Sequence, residues 1–192
     1  RAETAEGYLF PDTYFFPKEY EPERVVRKMI STFYENLREI APESEGFSGD
    51  RIHDIVKLAS IVEREYRQEK EAPLIASVFK NRLEAGVGLD SCATVEYIIT
   101  EIQGKDHPKF LTYDDLEIQS DYNTYRYRGL PPGPISNPGR IALEAAIYPA
   151  DTDYWYFVLK DPESGSHYFS RDLSEHNRAK VVYLKGVKAP EN

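Results

Sequence analysis

The sequence predicts an α+β fold: a helical core accompanied by short strands and a long proline-rich loop. Three observations lead to this prediction. Apolar residues recur at helical spacing through the first half of the chain, proline and glycine cluster between 129 and 139, and short aromatic runs lie near the C-terminal end. The 192 residues suffice to bury a proper core, and we expect a single domain over 1–192.

Helices are predicted from their first turns, their apolar stripes and their stops. Glu21-Pro22-Glu23 opens the first helix, because proline fits the first turn, and Gly86 ends the third. Asn137 is expected to cap the helix that starts at Pro138. The predicted helices cover about 21–40, 51–68, 71–85, a short stretch after Thr94, 138–148 and 173–184.

The remaining segments are predicted to be extended or irregular. Residues 1–20 carry Pro11 and Pro17 among aromatic residues and indicate an extended, strand-like start. The runs YWYFVL (154–159) and HYFS (167–170) flank KDPESGS, which has turn chemistry, so they predict a hairpin. Most of residues 101–140 is expected to be loop.

Composition excludes several classes of function. The net charge of −9 provides no basic excess for a nucleic-acid partner. None of the four histidines stands at metal-ligand spacing from a second His or Cys, and no nucleotide-binding or acyl-transfer motif occurs, so neither a metal nor a cofactor is expected. No apolar run approaches the roughly 18 to 20 residues of a transmembrane helix.

The helix predicted over 51–68 contains the candidate catalytic residues. Its segment LASIVERE (58–65) sets two carboxyl groups among apolar residues, and either could act as an acid. With about 100° per residue and Ile55 at zero, Glu63 falls at about 80° and Glu65 at about −80°. The apolar face leans slightly towards Glu63. A carboxyl group held against apolar surface has a raised pKa, and a group that stays protonated near neutral pH can act as a general acid.

The wheel leaves alternatives open. Glu63 could instead form an ordinary surface pair with Arg67 at i+4, worth a few tenths of a kcal/mol. Glu65 keeps a claim to the same role, because Ile61 makes its flank partly apolar. In the loop over 120–139, tyrosine and amide side chains between stiff proline turns suit sugar recognition, although a structural loop over the core explains them equally well.

A resemblance to the YceG-like family of endolytic murein transglycosylases is carried by six stretches. They occur in the family's order, cover almost the whole chain, and read EGYLFPDTY (6–14), LASIVERE (58–65), ASVFKNRL (76–83), YNTYRYRGLPPGPISNPG (122–139), YFV (156–158) and HYFS followed by EHN (167–177). The resemblance implies a catalytic domain that cleaves the bond between N-acetylmuramic acid and N-acetylglucosamine within peptidoglycan glycan strands and leaves 1,6-anhydro-muramyl ends.

The resemblance also implies residues and surroundings. The family's catalytic acid is the first Glu of the IVE motif, which is Glu63 here. We expect the substrate contacts to come from Glu6, Asn81, Asn123 and Tyr125. One departure is visible: Cys92-Ala93 stands where many members read Asp-Pro before the threonine, so a substrate contact of that aspartate would be changed.

Members of the family carry an N-terminal membrane anchor and a small LysM-like region ahead of the catalytic part. The chain begins at Arg1 and its only methionine is Met29, which indicates a fragment truncated at its N-terminus. The resemblance therefore implies action at the extracytoplasmic face of the bacterial cell membrane, with cell-wall synthesis enzymes as candidate partners.

The expected mechanism needs one carboxyl group, which gives a proton to the glycosidic oxygen and then takes one from the C6 hydroxyl of the sugar. Two alternatives remain. One is a glycosidase with two carboxylates, in which Glu6, Asp12 or Glu65 is the partner of Glu63. The other is a glycan-binding or scaffold module without turnover.

Overall fold

The computed structural model describes residues 4–184 and has the predicted α+β architecture. Residues 1–3 and 185–192, which the predicted domain over 1–192 includes, lie outside the described residues. The described elements are α1 (Pro22–Ile40), α2 (Gly49–Glu65), α3 (Ala72–Glu84), α4 (Cys92–Tyr97), α5 (Tyr113–Leu116), α6 (Arg140–Ile147), β1 (Tyr156–Asp161), β2 (Ser166–Ser170) and α7 (Leu173–Tyr183).

The helices agree with the predicted ones to within a few residues. The helix α2 ends at Glu65 rather than near residue 68, because Tyr66 already has extended backbone angles. The predicted hairpin is confirmed: β1 and β2 pair antiparallel, with Phe157 opposite Phe169. The N-terminal segment from residue 4 to residue 20 is irregular rather than a strand, since no neighbouring strand is available to it in the described chain.

The helix α2 lies at the centre of the core. It packs against α3, α4 and α6, and Leu58–Val62 are all buried. The stretch Leu58–Val62 is therefore covered on every side, whereas the helical wheel assumed one buried face. Complete burial of a side chain such as that of Ile61 contributes roughly 1.5–3 kcal/mol.

The proline-rich loop is fastened to the middle of α2. Ser60 Oγ accepts a hydrogen bond from the backbone amide of Ile135 at 3.0 Å, and Ser136 Oγ donates to the carbonyl oxygen of Ser60 at 2.9 Å. The two bonds join residues that are 75 and 76 positions apart in the sequence. The loop thus forms a fixed side of the core, as its structural interpretation predicted.

Asn137 does not cap α6, contrary to the prediction. Gly139 is the residue at the N-cap, and Asn137 Oδ1 instead accepts hydrogen bonds from the amides of Gly7 at 2.8 Å and Leu9 at 3.1 Å. Gly7 has φ of +84°, and a Cβ atom there would lie 2.4 Å from the Pro134 ring. Asn137 and the close approach at Gly7 therefore hold the N-terminal segment against the loop.

The hairpin and α7 form a second layer. The helix α7 packs on both strands, and Phe157 of β1 meets Phe79 of α3 edge to face at 5.8 Å between ring centroids. Between residues 4 and 184, no helix combines the length and the apolar character needed to cross a membrane.

Candidate active site

A cleft of about 720 Å³ separates two walls of the molecule. The end of α2 and the start of α4 form one wall, and the hairpin with α7 forms the other. Its volume lies in the range of small-molecule and cofactor sites.

Glu65, the last residue of α2, is the carboxyl group on the helical wall. Its Oε1 accepts a hydrogen bond from Ser91 Oγ at 2.6 Å. Burial raises the pKa of the Glu65 carboxyl, the nearby charge of Glu96 adds to this rise, and the Ser91 hydrogen bond opposes it. The carboxyl group is thus shifted towards its protonated form while a hydroxyl is in place to stabilise the ionised form.

Ser91 is held by the start of α4. It is 3% exposed, its amide donates to Thr124 Oγ1 at 3.1 Å, and its carbonyl oxygen accepts from Thr94 Oγ1 at 2.7 Å. Because the backbone on both sides is fixed in this way, the Ser91 hydroxyl is placed towards Glu65 by the fold and not by the side chain alone.

Tyr125 and Cys92 lie beside this pair. The Tyr125 hydroxyl and Cys92 Sγ are 3.1 Å apart, and both residues line the cleft. Burial raises the pKa of the Tyr125 phenol and of the Cys92 thiol, so both are neutral near pH 7. The position at which the sequence departs from the family pattern is therefore part of the cleft.

Arg82 joins the two walls. It is 7% exposed, and its guanidinium donates to the carbonyl oxygens of Gly88 at 2.7 Å and Trp155 at 3.1 Å. A third contact is the ion pair with Asp90. Burial nevertheless raises the pKa of the Asp90 carboxyl, against the lowering effect of the Arg82 charge. One planar, five-donor group thus fixes the distance between the helical wall and the hairpin.

The opposite wall carries aromatic rings and two histidines. His167 Nδ1 lies 2.8 Å from Glu71 Oε2, so this pair anchors β2. His176 of α7 stacks on Tyr156 at 5.0 Å between ring centroids. Burial, together with the charges of Lys180 and Arg82, lowers the pKa of the His176 imidazole. His176 is therefore neutral near pH 7 and faces the same cleft as Glu65.

Glu63, the predicted acid, lies on the other flank of α2. Its Oε2 accepts a hydrogen bond from the amide of Gly139 at 3.0 Å, where the proline-rich loop meets α6, and it is not part of the cleft lining. The alternative partner Arg67 makes no ion pair with it in the described chain. Glu63 therefore fastens the loop to α2 in this structure.

Glu6 and Asn81 are engaged elsewhere in the fold. Glu6 Oε2 accepts from the Tyr97 hydroxyl at 2.7 Å. Asn81 Nδ2 donates to the carbonyl oxygens of Thr152 and Tyr154, both at 2.9 Å. Neither residue lines the cleft, so the structure does not bring these two expected substrate contacts to it.

Asn123 is fully buried and Tyr125 is not. Asn123 Nδ2 donates to the carbonyl oxygens of Leu116 and Ile118, both at 2.9 Å, and its Oδ1 accepts from the Tyr125 amide at 3.0 Å. Each polar atom of the Asn123 side chain already has a backbone partner and none is left for a ligand. In this structure Asn123 therefore shapes the loop, in place of the expected substrate contact. Tyr125 is the expected contact that does line the cleft.

Four residues of the cleft were not singled out as candidates for the site. Arg82 lies in the third predicted helix, Asp90 and Ser91 lie between that helix and the short one, and His176 belongs to the EHN stretch. The EHN stretch was the available signal for His176. Across residues 4–184, no group of three or more His, Cys, Asp and Glu side chains is arranged to hold a metal ion.

Fold and cleft together define an α+β protein in which the carboxyl group of Glu65, at the end of the central helix, lines the cleft and has a raised pKa. The chain belongs to the YceG-like family, whose model matches residues 1–181.

Proteins named endolytic murein transglycosylase are similar to the chain. One from Bacillus subtilis is 39% identical over 180 residues, which are 93% of this chain and 48% of that protein. One from Streptococcus pneumoniae is 31% identical over 179 residues, 90% of this chain and 31% of that protein. The chain thus spans at most about half the length of these relatives.

A solved structure shares the fold. The crystal structure of a yceG-like protein from Listeria monocytogenes has a TM-score of 0.78 and 39% sequence identity, and the match covers 91% of this chain and 55% of that chain.

Proposed function

We propose that this chain cleaves peptidoglycan glycan strands internally as a lytic transglycosylase, with Glu65 as its acid and base. Two relatives that match at least 90% of the chain carry the name endolytic murein transglycosylase, which supports the reaction class. The observation that carries the residue assignment is the position of Glu65: it is half-buried in the cleft wall, with a raised pKa and a hydroxyl donor at 2.6 Å.

Geometry favours Glu65 over Glu63. A general acid must reach the proton acceptor of a bound substrate, either directly or through one water. Glu65 lines the cleft, whereas Glu63 is bonded to the loop at Gly139 on the other flank of the helix. The resemblance points to Glu63, the Glu of the IVE motif, so the assignment to Glu65, two positions further along the same stretch LASIVERE, departs from the family pattern.

The proposed reaction uses one carboxyl group in two steps. Protonated Glu65 donates its proton to the glycosidic oxygen as the bond from C1 of the muramyl residue breaks, and positive charge develops at C1. The resulting carboxylate accepts the proton of the C6 hydroxyl of the same sugar, whose oxygen forms the new bond to C1. Glu65 ends protonated, the product is the 1,6-anhydro sugar, and no water is consumed.

Neighbouring residues support both states of the acid. The raised pKa favours the proton-donating form at the start, and the Ser91 hydroxyl stabilises the carboxylate after the first transfer. General acid-base action of this kind contributes about 10² to 10⁴-fold. Trp155 and Tyr125, both in the cleft, offer an aromatic face and a hydroxyl for the saccharide.

The two-carboxylate hydrolase remains the competing enzyme. Glu6 is engaged by Tyr97, and Asp12 lies in a different groove beside α1, so neither of these two proposed partners shares the cleft. The other carboxyl groups in the cleft lining, those of Asp90 and Glu96, are each paired with an arginine, which favours the mechanism with one carboxyl group. A non-catalytic glycan-binding module would bind the glycan in the same cleft and release no product.

The test is the mass of the soluble products released from purified murein by the 192-residue chain. Lytic transglycosylation predicts fragments that end in anhydro-muramyl groups. Products heavier by one water per cut would identify a hydrolase, and binding to murein without soluble fragments would identify a binding module.

The proposed substrate also implies a place of action and partners. Peptidoglycan lies outside the bacterial cell membrane, so we expect the extracytoplasmic face as the site of action. Cell-wall synthesis enzymes are the expected protein partners, because they produce the strands that such an enzyme cuts.

A further inference from the structure

We infer that the cleft contains a subsite for a carboxylate carried by the muramyl residue of the glycan, formed by Arg67 and Lys180. This inference rests on the proposed function, since it concerns which part of the same substrate the second wall recognises. It starts from the charged side chains of the cleft. Four cations line it, Arg64, Arg67, Arg82 and Lys180, together with three carboxyl groups, Glu65, Asp90 and Glu96.

Two of these four cations are already paired. Arg64 lies 3.4 Å from Glu96, and Arg82 is paired with Asp90. Arg67 and Lys180 form no ion pair and no side-chain hydrogen bond with any residue between 4 and 184. Both are exposed to solvent and line the cleft, so they are available to an anion that enters it.

Arg67 is held in place by the hairpin. The turn at Gly165 lies on its aliphatic stem so closely that a Cβ atom at Gly165 would be 2.7 Å from Arg67 Cβ. The next residue, Gln68, donates from Nε2 to the carbonyl oxygen of Ser164 at 2.7 Å. Because the turn confines the stem, the guanidinium loses less freedom when it binds an anion.

Lys180 extends the cleft-facing side of α7. His176, Asn177 and Lys180 are spaced at i, i+1 and i+4, so they share one side of the helix, and all three line the cleft. The charge of Lys180 contributes to the lowered pKa of His176, which indicates a positive potential at this end of the wall. His176 and Asn177 of the EHN stretch therefore lie on the same wall as Lys180, facing the cleft that Glu65 lines.

A carboxylate is the anion that fits this arrangement on the proposed substrate. Neutral N-acetylglucosamine units offer no charge. A muramyl residue carries either a free lactyl carboxylate or, when a peptide is attached, the carboxylates of that peptide. A planar guanidinium and an ammonium group can both donate charge-assisted hydrogen bonds to such a group.

The test is binding of three oligosaccharides to the chain in a Glu65→Gln background, with the ligand mass checked afterwards to confirm that no cutting occurred. The ligands are a neutral N-acetylglucosamine oligomer, a peptide-free muramyl oligosaccharide and a peptide-bearing one. Arg67→Gln combined with Lys180→Gln is compared with the matched exposed pair Arg38→Gln and Lys160→Gln, which lie outside the cleft.

We expect the cleft pair to weaken binding of a carboxylate-bearing ligand about tenfold, with a smaller effect at high salt, and to leave the neutral oligomer unchanged. Loss for the peptide-bearing ligand alone identifies the peptide carboxylates, loss for the peptide-free muramyl ligand alone identifies the lactyl carboxylate, and loss for both identifies a subsite that accepts either carboxylate. Equal affinities of cleft and control pairs for all three ligands would overturn the subsite.

Charge reversal provides a second variant. Lys180→Glu is an exposed substitution and should reduce muramyl binding further than Lys180→Gln, while Arg67→Lys should retain part of it. Failure of the proposed function is a separate outcome: the subsite would bind muramyl ligands selectively even if the chain released no anhydro products from murein.

Discussion

Ser91 Oγ donates a 2.6 Å hydrogen bond to Glu65 Oε1 across the junction between α2 and α4. On the other flank of α2, Glu63 accepts a 3.0 Å hydrogen bond from the backbone of Gly139. Two carboxyl groups two positions apart in sequence therefore have separate tasks. One faces the cleft beside a hydroxyl, and the other holds the proline-rich loop.

Activity should fall as pH rises through the pKa of Glu65, because only the protonated carboxyl group can donate to the glycosidic oxygen. The raised pKa places this descending limb of kcat/KM above 4.5, the usual value for a glutamate side chain. The measurement is kcat/KM for murein fragments across pH. A descending limb of kcat/KM at or below that pH would show that burial does not set the pKa of Glu65.

Replacing Ser91 by alanine should move the same limb to higher pH, since the hydrogen bond that stabilises the ionised form of Glu65 is removed. Turnover should fall less than in Glu65→Gln, because the proton donor itself remains. Ser31→Ala, at an exposed hydroxyl on α1, is the matched control and should leave the profile unchanged. A profile of Ser91→Ala that coincides with wild type would contradict the role assigned to this bond.

The Glu65→Gln variant should be more stable than wild type near neutral pH, whereas the two proteins should be equally stable near pH 4. The pKa of Glu65 is higher in the folded than in the unfolded chain, so its stabilising contribution is complete below the unfolded value and is lost as pH rises through the folded value. Thermal unfolding at both pH values measures this, and we expect a higher Tm for the variant near neutral pH and equal Tm values near pH 4.

Exposed Glu163→Gln is the control for that experiment. An equal gain in Tm at low and neutral pH would show that ionisation of Glu65 is not the cause.

Loss of the Arg82 guanidinium should destabilise the fold. Arg82→Met leaves the carbonyl oxygens of Gly88 and Trp155 without their donor and the carboxylate of Asp90 without its partner. Because Asp90 is partly exposed, we expect about 2 kcal/mol rather than the full cost of a broken buried pair. Denaturant unfolding measures it, and Asp90→Asn should cost less, since the two carbonyl contacts remain.

Asn137→Ala should also lower stability, because two backbone amides, those of Gly7 and Leu9, lose their acceptor together. We expect about 2 kcal/mol from denaturant unfolding. Asn137→Asp keeps an accepting oxygen and should lose less. Equal losses in the two variants would indicate that the acceptor is not what matters at this position.

Sequence reasoning reached the fold because its signals were local. The stripe and stop of α3, the proline at the start of α1 and the turn chemistry between β1 and β2 each lie within one element. The bonds made by Asn137 span about 130 residues, so a local pattern of Asn-Pro-Gly suggested a cap where a tertiary contact exists.

The choice between the two carboxyl groups lay beyond such signals. The wheel set Glu63 and Glu65 at nearly symmetric angles, and the apolar tilt towards Glu63 was real, because that flank meets the loop and α6. What separates the two residues is which neighbour covers each flank. Whether α4 or α6 packs on a given flank of α2 depends on the fold of the whole chain and not on the local sequence. The role of Asn123 is hard to predict from sequence for a related reason: an amide suited to sugars equally suits three backbone groups of its own loop.

The most direct test of the account compares Glu65→Gln with Glu63→Gln in release of soluble muropeptides from purified murein, with both variants shown to be folded. The account predicts that Glu65→Gln lowers the rate by about 10² to 10⁴-fold, whereas Glu63→Gln retains most of it because its side-chain oxygen can still accept from Gly139. Near-normal release by Glu65→Gln, with loss in Glu63→Gln, would contradict the assignment.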